Sequence, residues 1–395
     1  MNINVNQKEL KNVIEKLERL LGKTHTIPVL NCVLITAENN RITATANNIA
    51  SALVLDVSGE VIEPGNVLID KSNFKLIKKL SGVLNITDEV IKVAIDTADK
   101  TENTEDAEKE FEKHNVIIKA NRNLKFYSIN PEQFPEITSD IDEEAFAMSE
   151  NVFKDKLKIK TFVAKTHFRQ VFTGVLISAK NDIVATNTHY IAKYKMNVEN
   201  KCEKDMILSI QSIEELNKIL DSKSENYLQF YYNNTSDNEP EYLKIVGSGF
   251  TYITRLVDGI FPNYEQVIPQ SFCTTLNIEN KKLQDTLDFA LEIVKDSKNK
   301  PIVFNITDQL QVYTIEDDKN MSEIISSDTA GEELAIGFNS GYVNDILKTI
   351  SEDKVNIKFS GKTSPVAFQG EGNEDELYVL VPLRLKGYEY EEVAV

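Results

Sequence analysis

The sequence predicts an α+β protein built from three repeats of one pattern, in which two helices pack on antiparallel β-sheets. Three observations lead to this prediction: two long segments with helical spacing of apolar residues, β-rich stretches between them, and the recurrence of this order along 395 residues. At roughly 100–200 residues per domain, this length suits two to four domains. The predicted domain limits are 1–138, 143–270 and 272–385.

Each repeat is expected to open with a short strand and an amphipathic helix. In the first helix, Gln7–Leu21, the apolar face consists of Leu10, Val13, Ile14, Leu17, Leu20 and Leu21. In the third, Asn280–Lys295, it consists of Leu283, Leu287, Leu291 and Val294. The middle copy of this strand and helix, Ala145–Lys165, is less regular around Phe153, Leu157 and Phe162. Spacings of three and four residues are typical of a helix that buries one face.

The rest of each repeat combines strands with a second helix. Val29–Asn48 resembles Val171–His189 in its order of apolar strand, polar turn and second strand, and Pro301–Thr314 is the third copy. A strand, a polar cap and a helix then follow in Val67–Leu80, Met206–Leu220 and Leu334–Ile350. We expect Ser or Asn at the cap, because its side-chain oxygen accepts a hydrogen bond from an N–H of the first helical turn.

Two segments depart from the repeat. Residues 97–114 form an acidic insertion in the first domain, which we expect to be a solvated loop or a short exposed helix. Residues 386–395 form a C-terminal tail beyond the last repeat.

The charge is unevenly distributed. The chain carries a formal charge of -18, which taken alone argues against binding to nucleic acid. Three helices nevertheless carry a net +9 together: the opening helices of the first two repeats, and the second helix of the first repeat with Lys71, Lys75, Lys78 and Lys79. Ordinary solvated helix faces are one explanation. The other is a binder of duplex DNA without sequence preference, which needs cations aimed at phosphates.

No catalytic or metal site is expected. The four histidines and three cysteines show no metal-ligand spacing, and the chain has no Walker loop and no G-x-S-x-G motif. We therefore expect neither an enzyme nor a cofactor. The absence of a signal peptide and of an apolar run of about 18 residues predicts no membrane association. Three widely separated cysteines favour a reducing cytoplasm.

Four phrases resemble one known family in order and spacing: LGKTHTIPVLNCVLI (21–35), LVDGIFPNYEQVIP (256–269), AIGFNSGYVNDILKTI (335–350) and YVLVPLRL (378–385). The family is the bacterial DNA polymerase III β subunit, the sliding clamp. The resemblance implies three clamp domains per subunit and a head-to-tail homodimer closed into a six-domain ring. Helices would line the hole around duplex DNA, and the ring would tether the replicative polymerase and give processivity without catalysis.

The resemblance also implies a pocket for short peptide motifs of the polymerase III α subunit, the clamp loader and repair polymerases. By position it would use Phe172, Thr186, His189, Ile191, Pro262, Val267, Val379, Val381, Pro382, Leu383, Arg384 and Leu385. The chain departs from the family at Asn187-Thr188-His189-Tyr190, where Asp-Gly-His-Arg is usual, and at Gln266, where a basic residue is frequent.

The residues expected to bind DNA follow from the basic helices and from the resemblance together, and those expected to close the ring follow from the resemblance alone. The DNA-binding set is Lys23, Thr24, Lys75, Lys78, Lys79, Lys154, Lys158, Lys165, Thr166, Arg169 and Gln170. Ring closure would pair Leu124 and Phe126 of the first domain with Leu291 and Ile293 of the third.

An alternative function is a clamp-like paralogue that binds partners as an interaction module, without being the main replicative clamp. The altered pocket residues, the insertion and the tail motivate it. Loading onto DNA and stimulation of a polymerase would distinguish the two.

Overall fold

The computed structural model describes residues 1–22, 25–94, 110–135, 140–234, 239–315 and 319–384. In these ranges the α-helices are α1 Gln7–Leu21, α2 Lys71–Ile77, α3 Glu150–Lys156, α4 Ile210–Ile219, α5 Asn280–Val294 and α6 Ser340–Thr349. Across the described ranges, none of the helices combines the length and the apolar character needed to cross a membrane.

Most of the remaining structure is β-strand. The strands are β1 Asn2–Asn6, β2 Cys32–Glu38, β3 Arg41–Asn47, β4 Ser51–Val57, β5 Gly59–Glu63, β6 Gly65–Asp70, β7 Val83–Ala94, β8 Glu110–Lys119, β9 Asn123–Ser128, β10 Glu143–Ser149, β11 Gly174–Ile177, β12 Asp182–Thr186, β13 Tyr190–Lys195, β14 Met206–Ser209, β15 Tyr227–Asn234, β16 Pro240–Gly247, β17 Phe250–Arg255, β18 Thr274–Glu279, β19 Pro301–Ile306, β20 Leu310–Thr314, β21 Ser322–Ile325, β22 Asp328–Gly331, β23 Leu334–Asn339, β24 Lys354–Phe359, β25 Val366–Gly370 and β26 Glu376–Leu380.

The strands form two compact units, each with two antiparallel sheets. The first unit, residues 1–154 and 214–256, contains a sheet ordered β5-β1-β7-β8-β9 and an eight-stranded sheet ordered β10-β15-β16-β17-β4-β3-β2-β6. Inside the eight-stranded sheet, β4 of the first predicted repeat pairs with β17 of the second. This sheet therefore continues from one repeat into the next.

The second unit is organised in the same way. It comprises residues 155–213 and 257–395, and its nine-stranded sheet is ordered β14-β11-β12-β13-β26-β25-β24-β18-β22. Here β13 of the second predicted repeat pairs with β26 of the third. A four-stranded sheet, β21-β20-β19-β23, completes the unit. The antiparallel α+β architecture predicted from the sequence is thus confirmed.

Helix α1 forms where its apolar periodicity predicts. All six residues of the predicted apolar face are buried, and the helix has the predicted limits. The side chain of Asn6 accepts a hydrogen bond from the N–H of Lys8 and caps the first turn. At the other end Gly22 takes a φ of 55°, a conformation that few residues other than glycine adopt readily, and its N–H bonds to the carbonyl of Glu18.

The second helices are capped by short polar side chains, though not always the expected ones. Asn339 caps α6, and the hydroxyl of Ser209 accepts from the N–H of Ser212 at 3.0 Å in α4. At α2 the expectation of Ser or Asn is wrong, because Asp70 caps the helix by accepting from the N–H of Ser72. A carboxylate serves equally well there, since it also complements the positive end of the helix dipole.

The acidic insertion lies mainly outside the described residues. Its last five residues, 110–114, belong to β8, so for them the expected loop or helix is wrong. His114, the last residue of the insertion, is buried. Its Nδ1 lies 2.7 Å from Oδ2 of Asp88 on the paired strand β7. The tail, 386–395, lies wholly outside the described residues.

A polar cluster lies beside the pairing of β13 and β26, and its members Glu376, Tyr378 and Tyr194 are buried. The ammonium of Lys158 lies 2.8 Å from Glu376 and 3.3 Å from Asp155. Glu376 also accepts from the hydroxyl of Tyr378 at 2.8 Å, and this hydroxyl lies 3.1 Å from that of Tyr194. Burial raises the pKa of both tyrosines, so both phenols stay protonated as hydrogen-bond donors.

Replacing Lys158 with Met should destabilise the protein strongly. The substitution leaves the buried Glu376 carboxylate without the cation that is bonded to it, which costs about 3 kcal/mol. At about 2–4 °C per kcal/mol for a unit of this size, thermal unfolding should shift down by roughly 6–12 °C. The exposed Lys75 serves as the matched control, and its change to Met should shift unfolding by about 2 °C or less. Equal shifts for the two variants would show that the buried ion pair contributes no stability.

Candidate functional site

The second unit contains an apolar pocket with a volume of about 190 Å³. Its lining is Phe172, Thr186, Thr188, His189, Tyr190, Ile191, Pro262, Asn263, Tyr264, Val267, Val379 and Val381. A cavity of about 150 Å³ is known to hold a benzene ring, so this pocket has room for one aromatic or aliphatic side chain. An apolar cavity with a few polar groups at its edge is typical of a ligand-binding site.

Paired strands and two short 3₁₀ segments position this lining. Ile191 on β13 lies directly opposite Val379 on β26, and these strands provide one wall. The 3₁₀ segment Gln170–Thr173 carries Phe172, and a second one, Tyr264–Val267, closes another side. The hydroxyl of Tyr264 donates to Asp182 at 3.1 Å and fixes the second segment to the sheet.

The turn between β12 and β13 is stabilised by its own side chains. Asn187 Oδ1 accepts from the N–H groups of His189 and Tyr190, and the hydroxyl of Thr186 donates to the carbonyl of Tyr190 at 2.8 Å. Thr188 has a φ of 76°, a region that favours glycine. The turn therefore keeps the backbone shape for which glycine is usual, although this chain has threonine.

Tyr190 occupies the position where the resemblance leads us to expect an arginine. Its side chain is buried, and its hydroxyl donates to the carbonyl of Thr161 at 3.0 Å and to Asp345 at 3.4 Å. Burial raises the pKa values of Tyr190 and of Asp345. The side chain thus anchors the pocket floor, and it does not supply the positive charge of an arginine. Next to it, His189 stacks on Tyr342 with 5.5 Å between ring centroids.

The pocket contains eight of the twelve positions that the resemblance assigned to peptide binding. They are Phe172, Thr186, His189, Ile191, Pro262, Val267, Val379 and Val381. Pro382, Leu383 and Arg384 continue the chain beyond Val381 without lining the cavity, and Leu385 lies outside the described residues. Four lining residues were missed: Thr188, Tyr190, Asn263 and Tyr264. Each is adjacent in sequence to another lining residue, and this adjacency is the feature of the sequence that could have identified them as part of the pocket.

In the first unit, the basic helix faces include cations that have no acidic partner in the described ranges. Lys75 and Lys79 are exposed and in no ion pair, whereas Lys78 bonds to Glu18 at 2.5 Å. Lys16 and Arg19 of α1 and Lys218 of α4 border one shallow depression. Lys16 and Arg19 belong to one of the three helices whose positive charge the sequence indicates, whereas Lys218 on α4 was missed. Lys23 and Thr24 lie outside the described residues.

The remaining residues of the predicted DNA-binding set differ in their surroundings. Lys165, Thr166 and Gln170 are exposed, but Lys154 donates to the carbonyl of Asn217 and Lys158 is bonded to Glu376. Arg169 lies beside the apolar pocket, with its guanidinium 5.4 Å from the centre of the Phe172 ring.

The residues predicted for ring closure lie at or beside sheet edges. Leu124 and Phe126 are half-buried on β9, the outermost strand of its sheet. Leu291 and Ile293 are half-buried on α5. Two more exposed apolar side chains were missed in the second unit: Ile324 on the edge strand β21, 65% exposed, and Phe289 on α5, 62% exposed.

Nowhere in the ranges given above do three or more His, Cys, Asp or Glu side chains come together in a way that could hold a metal ion. Cys32 is buried, and this burial, with Asp70 beside it, raises the pKa of its thiol to about 12. Such a thiol is a poor nucleophile at neutral pH.

Comparison with known proteins places the whole pattern in one family. Family models of the DNA polymerase III beta subunit match three successive stretches: the N-terminal domain at 1–138, the central domain at 147–263 and the C-terminal domain at 265–384. The beta sliding clamp of Staphylococcus aureus is 24% identical over 381 residues, which cover 91% of this chain and 93% of that protein.

Solved structures give the same result for the fold. The beta subunit of the Streptococcus pyogenes DNA polymerase superposes with a TM-score of 0.83 at 17% identity, covering 98% of this chain and 100% of that one. The DNA polymerase sliding clamp of Bacillus subtilis gives a TM-score of 0.81, also at 17% identity, with 98% and 99% covered. With three domain matches spanning nearly its whole length, the chain belongs to the DNA polymerase III beta subunit family, the bacterial sliding clamps.

Proposed function

We propose that this protein is a DNA sliding clamp: two copies close head to tail into a ring around duplex DNA and tether a polymerase to it. The observation that carries the proposal is a repeated edge pairing. In the first unit β4 pairs with β17, and in the second unit β13 pairs with β26. β4 is the last of three consecutive antiparallel strands, β2-β3-β4, and β13 is the last of β11-β12-β13. Each of them pairs with the last strand of the next repeat, which is β17 or β26.

Within the described residues, the same two kinds of edge remain unpaired at the ends of this series. β9 is the last strand of the first repeat, as β17 and β26 are the last strands of the second and third. β21 is the last of the three consecutive strands β19-β20-β21 in the third repeat, as β4 and β13 are in the first and second. An edge strand presents unpaired N–H and C=O groups that can bond to another chain. If β21 of one copy pairs with β9 of another, the series continues, and such head-to-tail contacts form a ring when the rotation closes.

Exposed apolar side chains at these edges support the same contact. Tyr127 on β9 is 64% exposed, and Ile324 on β21 and Phe289 on α5 are similarly exposed. Leu124, Phe126, Leu291 and Ile293 would join them, as the resemblance implied. Exposed apolar residues grouped at an edge favour a protein interface.

The basic helix faces are the proposed contacts to DNA. Lys75, Lys79, Lys16, Arg19 and Lys218 are exposed, and none of them has an ion-pair partner in the described part of the chain. Cations in this state can neutralise phosphates without first breaking an ion pair. Lys158, whose ammonium is bonded to Glu376, is better suited to holding the fold.

The apolar pocket is the proposed site for peptide motifs of partners, namely the polymerase III α subunit, the clamp loader and repair polymerases. Extended peptides bind such pockets through one or two apolar anchors. We further propose that the protein is non-catalytic, carries no cofactor and acts in the cytoplasm. In the described part of the chain no disulfide joins Cys32, Cys202 or Cys273, which suits a reducing compartment.

One observation keeps a second candidate function open. In the pocket the buried Tyr190 replaces the expected arginine, so the set of bound peptides can differ from the usual one. A clamp-like paralogue that serves as an interaction module, without replicative loading, would accommodate this change.

Retention on DNA circles tests the proposal directly. The protein should have a solution mass of about twice 44.7 kDa by light scattering. Once loaded, it should stay on circular plasmid and leave linearised plasmid, since a ring escapes only at ends. Retention that ignores ends would indicate electrostatic binding alone. A monomer in solution would favour the interaction-module alternative.

Charge reversal at Lys75 and Lys79 should weaken the hold on DNA. Changing both to Glu removes two proposed phosphate contacts, so the slope of log binding constant against log salt should fall by about 2. The control variant changes Lys195 and Lys358, which lie on strands, to Glu and gives the same net charge. The solution mass should stay that of a dimer in both. If the two variants lose DNA binding equally, only overall charge matters and the helices are not the DNA-facing surface.

A charge at the edge strand should weaken the dimer. Ile324→Glu places a carboxylate in the proposed apolar contact, and we expect the dimer dissociation constant to rise at least about tenfold, or ~1.4 kcal/mol. The matched control is Ile62→Glu on β5, at the opposite edge of the sheet from β9. Analytical ultracentrifugation measures both. Unchanged dissociation for Ile324→Glu would exclude β21 from the interface.

A further inference from the structure

The chain continues beyond the family domain at the edge of the apolar pocket. The C-terminal domain match ends at residue 384, and eleven residues follow in the sequence. The last ten, KGYEYEEVAV, place Tyr388, Tyr390 and Val393 beside Glu389, Glu391 and Glu392. These ten residues lie outside the described residues, and the last described residue before them is Arg384.

Hydrogen bonds fix the backbone just before Arg384. The N–H of Val381, which lines the pocket, donates to the carbonyl of His189 at 2.9 Å, and the N–H of Leu383 donates to Gly337 at 2.8 Å. Arg384 is therefore at most three residues, or about 11 Å, from the pocket wall. Tyr388 is four residues beyond it and can span about 14 Å. The first tyrosine of the tail can thus return to the pocket.

The pocket matches the tail in size and in polarity. Its volume of about 190 Å³ accommodates an aromatic ring, and none of the described residues that line it is Asp, Glu, Lys or Arg. Its outer edge is apolar and open to solvent: Val381 is 42% exposed and Val267 is 37% exposed. A phenol suits such a site, since its ring is buried while its hydroxyl stays near water.

A cation beside the pocket matches the acidic residues of the tail. Arg169 lies over the ring of Phe172, which lines the cavity, and its guanidinium donates to the carbonyl of Ile260 at 3.4 Å. It is exposed, and within the described ranges no carboxylate pairs with it. A glutamate next to a buried tyrosine would supply a charge-assisted hydrogen bond there.

From these observations we propose that residues 386–395 dock onto the pocket of their own chain, with Tyr388 or Tyr390 in the cavity and an adjacent glutamate at Arg169, and so compete with partner peptides. The inference rests on the proposed function only in taking this pocket as the partner site. A tethered segment acts at an effective concentration on the order of 1 mM. With an intrinsic dissociation constant of about 0.1 mM, it would weaken a competing peptide about tenfold.

The test uses the full chain and a fluorescein-labelled peptide copying residues 386–395. The variant Tyr388→Ser with Tyr390→Ser removes the competing side chains, so fluorescence anisotropy should show about tenfold tighter binding of the labelled peptide than to the unaltered chain. In this background Val267→Glu, and independently Val381→Glu, should abolish binding, and Arg169→Gln should weaken it several-fold. Tyr227→Ser is the matched control, because Tyr227 is an exposed tyrosine of the first unit, and it should leave peptide binding unchanged.

Three results would overturn the proposal. They are equal affinity for the unaltered chain and the double-tyrosine variant, binding that survives both pocket substitutions, and a tightening that depends on protein concentration, which would mean that the tail of another copy is the occupant. Plasmid retention is measured on the same proteins. A chain that stays on circles but gives one of these results loses only the tail docking, whereas failure on circles with tail docking intact removes the clamp function.

Discussion

The fold depends on backbone pairing between edge strands of successive repeats. Where β4 meets β17, and where β13 meets β26, the N–H and C=O groups of one repeat bond to those of the next in an antiparallel ladder. Such bonds use groups that every residue except proline carries, so the repeats can diverge in side chains and still join. This explains why the three repeats share the order of their elements far more clearly than they share residues.

The pocket is a consequence of the second pairing. Side chains alternate between the two faces of β26, so Val379 and its cross-strand neighbour Ile191 face the cavity. Tyr378 and Glu376 point to the other face, where they hold Lys158. One strand therefore carries a binding surface on one side and a buried ion pair on the other. A substitution that shifts the strand would disturb both, and this restricts the sequence of β26 more than either role alone.

The sequence predicts best what depends on local spacing. The limits of α1 follow from its apolar periodicity and from Asn6 and Gly22 at its ends, and the order of elements follows from the repeat. Most of the pocket lining came from the resemblance and not from spacing, because Phe172, Ile191 and Val379 are separated along the chain and have the composition of ordinary core residues. The ion pair between Lys158 and Glu376 could not be predicted, because Glu376 lies far along the chain in the last strand, β26.

The edge residue Ile324 shows the same limit. From the sequence alone, an isoleucine in a short strand is expected to be buried in the core. Only the order of strands in the sheet shows that β21 is outermost and that the side chain of Ile324 is exposed. Tyr190 was missed for a different reason. The resemblance suggested a cation at that position, and nothing nearby in the sequence indicated that Thr161 and Asp345 would accept the hydrogen bonds of a buried phenol.

The strong negative charge of the chain is compatible with the proposed enclosure of DNA because enclosure and affinity are separate properties. Affinity for phosphates rises with the number of cations that neutralise them and falls steeply with salt. A ring stays on a circle even when each contact is weak, and weak contacts allow it to slide. In the proposed ring a few exposed cations such as Lys75 and Lys79 would then be sufficient, and the excess of acidic residues elsewhere would discourage DNA from binding where it cannot be enclosed.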